Sequence, residues 1–424
     1  MISALGYRLL LWLSFPLLLA RLWWRGRREP GYRQDVGQRF GYYRREAPGR
    51  EKTIWLHAVS VGETRAAEPL IKALRQRYPD HRLLITHMTA TGRETAQQLY
   101  SSLSNVEFAW LPYDYPSAMR RFLAHFRPAL GVVMETEIWP NLLRECRGAG
   151  VPVLLANARL SETSAEGYRK LGALAQRALE DFSAIAAQTA DDARRLMELG
   201  APKHNVSITG NLKFDVAIPT APQGGGLREI IGDRSVFLAA STREGEEALI
   251  LEAAARQPLP PGALLLIVPR HPQRFDEVAR LLEGRGASYA RRSALTGTSA
   301  KLTADVLLGD SMGEMPNYYR AADCAYIGGS IVPLGGQNLI EACALGVPVL
   351  IGPHTFNFTD AAENAVTAGA ALRVKDGEDL LRGATGLLND QDRRQRMSQA
   401  GLAFVQSHRG ATARTLNICE KLLA

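Results

Sequence analysis

Two short acidic segments stand where an alternating α/β chain gathers its ligands. The first, His57-Ala58-Val59-Ser60-Val61-Gly62-Glu63, runs off an apolar strand into a helix. Glu63 then lies beside the positive end of a helix dipole, which favours its ionised form. A carboxylate kept charged at a cleft can take a proton from an attacking hydroxyl. The same position also suits a glutamate that merely caps the helix, and these seven residues leave both readings open. The second segment, Met134-Glu135-Thr136-Glu137-Ile138-Trp139-Pro140-Asn141, sets Glu135 and Glu137 two apart at a strand end. In extended geometry they share a face. Paired carboxylates suit a metal or a hydrolase dyad. No Asp/His set at matching spacing accompanies them, however, and Trp139-Pro140 opens a helix, so hydrogen bonding, charge positioning and capping fit them better.

The second half of the chain carries cations and glycines instead. Ser241-Thr242-Arg243 and Arg270, His271 and Arg274 stand next to helix starts, where backbone N–H groups and arginine make a phosphate or carboxylate site without a metal. A solvated arginine face is the competing reading. In Gly335-Gly336-Gln337-Asn338-Leu339-Ile340-Glu341, the glycines let backbone approach a ligand closely and the following helix aims its N-terminus there. Asn338 and Glu341, three apart, share a helical face on which a carboxylate can accept both hydroxyls of a ribose. No G-x-G-x-x-G follows a first strand, which leaves a dinucleotide redox enzyme without support. His57, His87, His271 and His354 are expected on different loops, so no metal site is expected.

The elements that must position these residues follow from hydrophobic periodicity. From residue 53 the chain alternates short aliphatic runs with helical stretches: TIWLHAVS, RLLITHMT, VEFAWLPY, LGVVMETE, VPVLLANA, SAIAAQT and VSITGN in the first half. SVFLAAST, ALLLIVPR, AYIGGS and VPVLIGPH follow in the second. Near-continuous apolar strands separated by helices imply parallel sheets covered on both faces. The expected fold is α/β, two Rossmann-like doubly wound domains facing a cleft, with ligands beyond the carboxyl ends of the strands. Residues 29–217 form the first domain, the Pro- and Gly-rich stretch 218–226 a linker, and 227–424 the second domain. Two ligand rims suit a reaction that joins two separately bound substrates.

Residues 1–28 are set apart by composition. The 424-residue chain is 46% hydrophobic and 22% charged, which excludes disorder and collagen-like repeats. Of its 51 Lys and Arg and 43 Asp and Glu, ten arginines and only Glu29, Asp35 and Glu46 fall within residues 1–50. The body of the protein is therefore almost neutral, and no nucleic-acid partner is expected. Residues 9–20 are uncharged but span only about 18 Å as a helix, short of a hydrocarbon slab of roughly 30 Å. Arg8 and Pro16 would force snorkelling and a kink on a longer span. A cleaved signal peptide lacks its small-x-small site, because Arg21, Arg25, Arg27 and Arg28 come directly after the apolar run. Trp12, Trp23 and Trp24 suit a headgroup layer and the arginines an anionic cytoplasmic leaflet, so a membrane anchor is expected, with an ordinary buried helix as the alternative. Cys146, Cys324, Cys343 and Cys419 lie far apart and read as buried, reduced thiols.

The motif G-G-x-N-x-x-E-A followed by G-V-P-V is similar to the donor-nucleotide motif of GT-B glycosyltransferases. Together with HAVSVGE, METEIWPN, ANARLS, GNLKFD, STREGEE, VPRHPQRF, GDSMGEM and GPHTFNF, the chain resembles the Kdo transferases of Gram-negative bacteria, in order and over nearly its whole length. The resemblance implies transfer of 3-deoxy-D-manno-octulosonic acid (Kdo) from CMP-Kdo to lipid IVA, a lipid A precursor, at the cytoplasmic face of the inner membrane. It implies Glu63 as general base, with Glu135 and Lys213 assisting the transition state. It also implies that Pro269, Arg270, Met312, Gly313, Glu314, Asn338, Leu339, Ile340 and Glu341 hold CMP, with neither a metal nor a cofactor. Arg243 departs from the family, whose members often carry histidine there, so an imidazole role at that position is in doubt. A GT-B enzyme using a UDP-sugar or ADP-heptose is the nearest rival, and a membrane-tethered nucleotide-binding scaffold the rival from another class.

Overall fold

A computed structural model describes residues 4–44, 49, 51–217, 226–295 and 302–424. The chain divides into two compact units, Met1–Val216 with His408–Ala424, and Ala217–Ser407. The second unit, expected to continue to residue 424, therefore ends at Ser407. The proposed linker, apart from Gly226, lies outside the described residues.

The first unit holds a seven-stranded parallel sheet. Its strands are β1 (Thr53–His57), β2 (Arg82–His87), β3 (Val106–Trp110), β4 (Pro128–Met134), β5 (Val153–Ala158), β6 (Ala184–Ala187) and β7 (Val206–Ile208), in the order β3-β2-β1-β4-β5-β6-β7. Burial of successive residues on both faces of β1, β4 and β5 explains their unbroken apolar character. The order reverses between β1 and β4, the place where a doubly wound sheet opens a crevice at its carboxyl edge. Glu63 and Glu135 follow these two strands.

The second unit repeats the plan with β8 (Val236–Thr242), β9 (Leu264–Pro269), β10 (Tyr289–Arg291), β11 (Val306–Leu308), β12 (Cys324–Ile327), β13 (Val349–Ile351) and β14 (Ala371–Arg373). The order is β10-β11-β9-β8-β12-β13-β14, again parallel throughout. Its reversal between β8 and β12 brings together the loops that begin at Arg243 and Gly328. A Cβ on Gly328 would collide with the Ser241 carbonyl, so only glycine permits this crossing of backbones.

Prolines set two helix boundaries. Val61–Ala66 is followed by a second helix, Glu68–Arg77, with Pro69 in its first turn, because proline lacks an N–H and its ring would clash with a preceding helical turn. The N-terminal segment likewise breaks at Ser14 into Ala4–Leu13 and Phe15–Arg28, with Pro16 in the first turn of the second helix. Residues 4–28 do not stand apart as a separate domain; they pack on the first unit. Tyr7 donates to Asp114 at 2.9 Å, Arg8 Nε to Asn141 Oδ1 at 3.2 Å, and the Tyr115 hydroxyl to the Leu11 carbonyl at 2.7 Å. Among the described residues no single helix is long and apolar enough to cross a membrane, and the two helices together bend by 48°.

The chain's last helix, Ala411–Leu423, returns to the first unit and buries Ala411 and Cys419 against Leu212, Leu74 and their neighbours. Its N-terminus is capped from outside. Asp215 Oδ1 accepts from Gly410 N at 2.8 Å and Oδ2 from Thr412 N at 2.6 Å. Replacing Asp215 with Ala leaves both donors without their carboxylate and is expected to lower unfolding stability by about 1–2 kcal/mol. Urea denaturation followed by circular dichroism measures this, and an unchanged midpoint would show that the cap contributes nothing.

Candidate active site

Strand β1 delivers its last residue, His57, to the sheet's carboxyl edge, and the chain turns at Ser60 into the helix Val61–Ala66. Ser60 Oγ caps that helix by accepting from Glu63 N at 3.4 Å, and donates to Glu63 Oε1 at 3.0 Å. Glu63 Oε2 accepts from Val59 N at 2.8 Å. Capping is therefore part of what Glu63 does, and it fixes the carboxyl group in place.

Strand β4 ends at Met134, and the next residue, Glu135, takes a left-handed conformation with φ of 58°. Such a conformation costs a non-glycine residue about 1–3 kcal/mol and turns its side chain out of the strand's alternation. The expectation that Glu135 and Glu137 share an extended face consequently fails, because no extended backbone joins them. Glu135 Oε1 meets Lys213 Nζ at 3.3 Å, and Glu137 Oε2 accepts from the indole N–H of Trp139 at 2.7 Å. Lys213 rides on the turn Leu212–Asp215. Leu212 N donates to Asn157 Oδ1 at 2.9 Å and Lys213 N to Asn211 Oδ1 at 3.0 Å. Asn157, at the end of β5, is also left-handed with φ of 54°. Asn157 and Asp215 escaped the sequence reading, although both sit inside motifs it quoted.

The electrostatics differ from expectation in one respect that matters for chemistry. The helix N-terminus was expected to keep Glu63 ionised. Burial instead disfavours its charge, the nearby Glu135 and Glu137 carboxylates add to this, and the bonds from Val59 and Ser60 only partly offset them, so its pKa is raised to about 8. Glu137 is shifted in the same direction, again chiefly by burial.

Behind these carboxylates, His57 and His87 are not on separate loops but end the paired strands β1 and β2. His57 Nδ1 lies 2.9 Å from Thr86 Oγ1, and His87 Nδ1 lies 2.8 Å from the Ala58 carbonyl. Burial lowers the first pKa to about 3 and the second to about 4, so both are neutral. They support the rim from within the core. Among the described residues no group of three or more His, Cys, Asp or Glu is placed to hold a metal ion.

In the second unit the residues expected to hold CMP lie at or just beyond the carboxyl ends of the strands. Pro269 ends β9, and the exposed Arg270 follows with its N–H bonded to the Thr242 carbonyl at 3.0 Å. Met312 and Gly313 are exposed on the turn after β11. Glu314 is held by Arg292 at 2.9 Å and by Ser311. Asn338 does not share a helical face with Glu341, because the helix begins only at Ile340. Asn338 caps it, accepting from Ile340 N at 3.1 Å, and reaches Glu341 Oε1 at 3.3 Å. The side chains of Leu339 and Ile340 are buried, leaving only their backbone for a ligand. Gly335, with φ of 87°, packs so closely on Phe356 and Asn357 that a Cβ would clash.

Arg274 serves neither as a solvated face nor as a free cation. It is buried in a bidentate pair with Glu247 at 2.7 and 3.0 Å. Glu246, equally buried, accepts from Tyr326 at 2.5 Å, Gly329 N at 2.7 Å and Arg243 N at 2.9 Å, tying together the loops after β8 and β12. The sequence marks both glutamates only as adjacent charges in STREGEE.

Residues 34–216 match the family of 3-deoxy-D-manno-octulosonic-acid transferases (kdotransferases), and residues 282–403 match the glycosyl transferases group 1. The 3-deoxy-D-manno-octulosonic acid transferase of Bordetella pertussis is 47% identical over 418 residues, 96% of each chain. The chain belongs to the Kdo transferase family. The Haemophilus influenzae enzyme of the same name is 38% identical over 426 residues, 98% of each chain. This Kdo transferase also shares its fold with the UDP-GlcNAc 2-epimerase of Neisseria meningitidis, at 18% identity and a TM-score of 0.59, covering 87% of this chain and 100% of that one. The protein is thus a glycosyltransferase with two parallel α/β sheets, acting in lipopolysaccharide synthesis.

The Glu63 geometry has a consequence for stability. A carboxyl whose folded pKa lies above its unfolded value stabilises fully below about pH 4.5, and that contribution is lost as pH rises through 8. A Glu63→Gln variant keeps an acceptor for Val59 N and a donor for Ser60 without ever ionising. Relative to it, the parent is expected to lose a few kcal/mol, on the order of one per pKa unit, between pH 5 and 9. Paired thermal melts across that range test this, and parallel curves would show that Glu63 titrates normally.

Proposed function

We propose that this Kdo transferase moves Kdo from CMP-Kdo to lipid IVA at the cytoplasmic face of the inner membrane, with inversion, without a metal, and with Glu63 as general base. The observation that carries this reading is the placement of Glu63: a fixed carboxyl at the switch point of the first sheet, with a proton affinity matched to neutral pH. A base is most effective when its pKa lies near the working pH.

In the step we envisage, an acceptor hydroxyl oxygen attacks the anomeric carbon of Kdo and passes its proton to Glu63. The bond from that carbon to the CMP phosphate oxygen breaks, and CMP leaves with the electron pair. Attack from the face opposite the leaving group inverts the centre. Positive charge grows on the sugar and negative charge on the departing phosphate. Glu135, held by Lys213, supports the first; Arg270 and the backbone N–H groups of the loops at Gly313 and Gly336 suit the second. Pro269, Met312, Glu314 and the stretch Asn338 to Glu341 complete the nucleotide's surroundings, with Leu339 and Ile340 contributing main chain alone.

Because the ionised form of Glu63 is the active one, turnover is expected to rise with pH through an apparent pKa near 8. Glu63→Gln is expected to lower kcat by about 10³-fold or more. CMP, but not UDP or ADP, should still raise its melting temperature as it does the parent's. Steady-state assays with CMP-Kdo and lipid IVA, with product mass spectrometry, read this out. Near-normal turnover by the variant would remove Glu63 from its role.

A further inference from the structure

The carboxyl edge of the first sheet holds a second cluster of charge, opposite in sign to the carboxylates. Strand β3 ends at the buried Trp110, whose N–H donates to Gln38 Oε1 and whose indole N–H donates to the Gln34 carbonyl, each at 2.9 Å. Two guanidinium groups lie over this fixed ring, Arg39 with its Cζ 3.8 Å from the centroid and Arg93 at 4.8 Å. Arg39 comes from the short helix Val36–Phe40 and Arg93 from the helix Ala90–Tyr100. Their exposures are 1% and 9%.

The indole stabilises the faces of these cations but accepts nothing from most of their N–H edges. Arg39 Nη1 donates to the Met88 carbonyl at 3.4 Å, while its Nε and Nη2 have no partner. Arg93 Nη2 donates to Asp35 at 2.9 Å, while its Nε and Nη1 have none. Burial pulls the Arg39 pKa down, and Tyr113 and Tyr32 offset this only in part. A buried charged donor without an acceptor is costly, and four such nitrogens over one ring are what an anion would satisfy.

We propose that Arg39 and Arg93 form a binding site for a phosphate monoester, with the Asp35 carboxylate holding its place until one arrives. Two guanidinium groups balance a dianion, and their planar forks match its three terminal oxygens. Asp35 brings one charge and serves one donor. Its side chain is half exposed and its backbone is left-handed, with φ of 50°, so it can turn out into water and relieve a conformation that few residues with a side chain adopt.

The site borders the proposed base. Thr89 caps the helix that carries Arg93 and donates to the Val59 carbonyl at 2.7 Å, while Val59 N holds Glu63. A phosphate carried by the acceptor is thus gripped on the edge that takes its proton. Assigning the phosphate to the acceptor rests on the function proposed above; the anion site itself does not.

Isothermal titration calorimetry of the full-length protein in detergent, saturated with CMP to fill the donor loops, tests this with glucosamine 1-phosphate, inorganic phosphate and glucosamine. Glucosamine 1-phosphate is expected to bind and glucosamine to give no heat. Arg93→Gln is expected to weaken binding by about tenfold or more, and Asp35→Asn to strengthen it by about threefold or more because the competing carboxylate is gone. A gain of affinity at an exposed side chain cannot arise from misfolding. Preference for the sugar phosphate over inorganic phosphate supports the site and gives it to the acceptor; equal affinity with the same two mutational responses supports it as a site for free phosphate. No binding by the parent and by Asp35→Asn, an Asp35→Asn protein that binds no tighter, or an Arg93→Gln protein that binds equally well would overturn the proposal. No Kdo is transferred in these titrations, so their failure leaves the proposed reaction standing, and failure of the Glu63 tests leaves the anion site standing.

Discussion

Three carboxyl groups crowd the carboxyl edge of one parallel sheet, and the cost of burying negative charge there governs the site. Glu63 cannot ionise cheaply beside Glu135 and Glu137, and it cannot turn away, because Val59 and Ser60 grip both of its oxygens. The same group is therefore a structural cap and, in the function proposed above, the base that takes the acceptor's proton. The surrounding architecture answers to this constraint. Lys213 neutralises Glu135, Trp139 holds Glu137, and two left-handed residues, Glu135 and Asn157, turn the ends of neighbouring strands toward the crowd. Strain of that kind is retained where the surrounding fold over-determines it.

Long-range ties hold the arrangement rigid. Asp215, two residues after Lys213, caps the chain's final helix, so the loop bearing the lysine is anchored by residues almost two hundred positions away. In the second unit, buried Glu246 performs a comparable task for the loops after β8 and β12, accepting three hydrogen bonds at once. A buried carboxylate saturated with donors is far less costly than one left bare, and it specifies a single loop geometry. The first helices join this framework through the bond from Tyr7 to Asp114.

Much of this was legible in the chain. All seven strands of the first sheet follow apolar runs visible by eye, and the acidic motifs lie where the runs end. In the second sheet β8, β9, β12 and β13 were legible, whereas β10, β11 and β14 were not. β7 and β13 are just as short but lie within longer quoted runs, whereas β10 and β14 end on Arg291 and Arg373 and β11 is hemmed in by Asp305 and Gly309, so no apolar run marks them. Pro16 signalled a kink, but whether a helix bends there or begins anew depends on packing. The return of residues 408–424 to the first unit was invisible, because an amphipathic helix carries no record of which sheet it covers. The sign of the Glu63 shift was misread for a related reason: the helix dipole is local and readable, whereas the burial that outweighs it comes from residues far apart in sequence.

The proposed transfer turns on one proton, that of the Glu63 carboxyl. Carbon-13 NMR of the full-length enzyme with labelled glutamate side chains, subtracted against the Glu63→Gln protein, follows that carboxyl directly. A resonance that remains in the protonated range at pH 6 and moves with a midpoint near 8 is predicted; a midpoint in the ordinary glutamate range near 4.5 would contradict it.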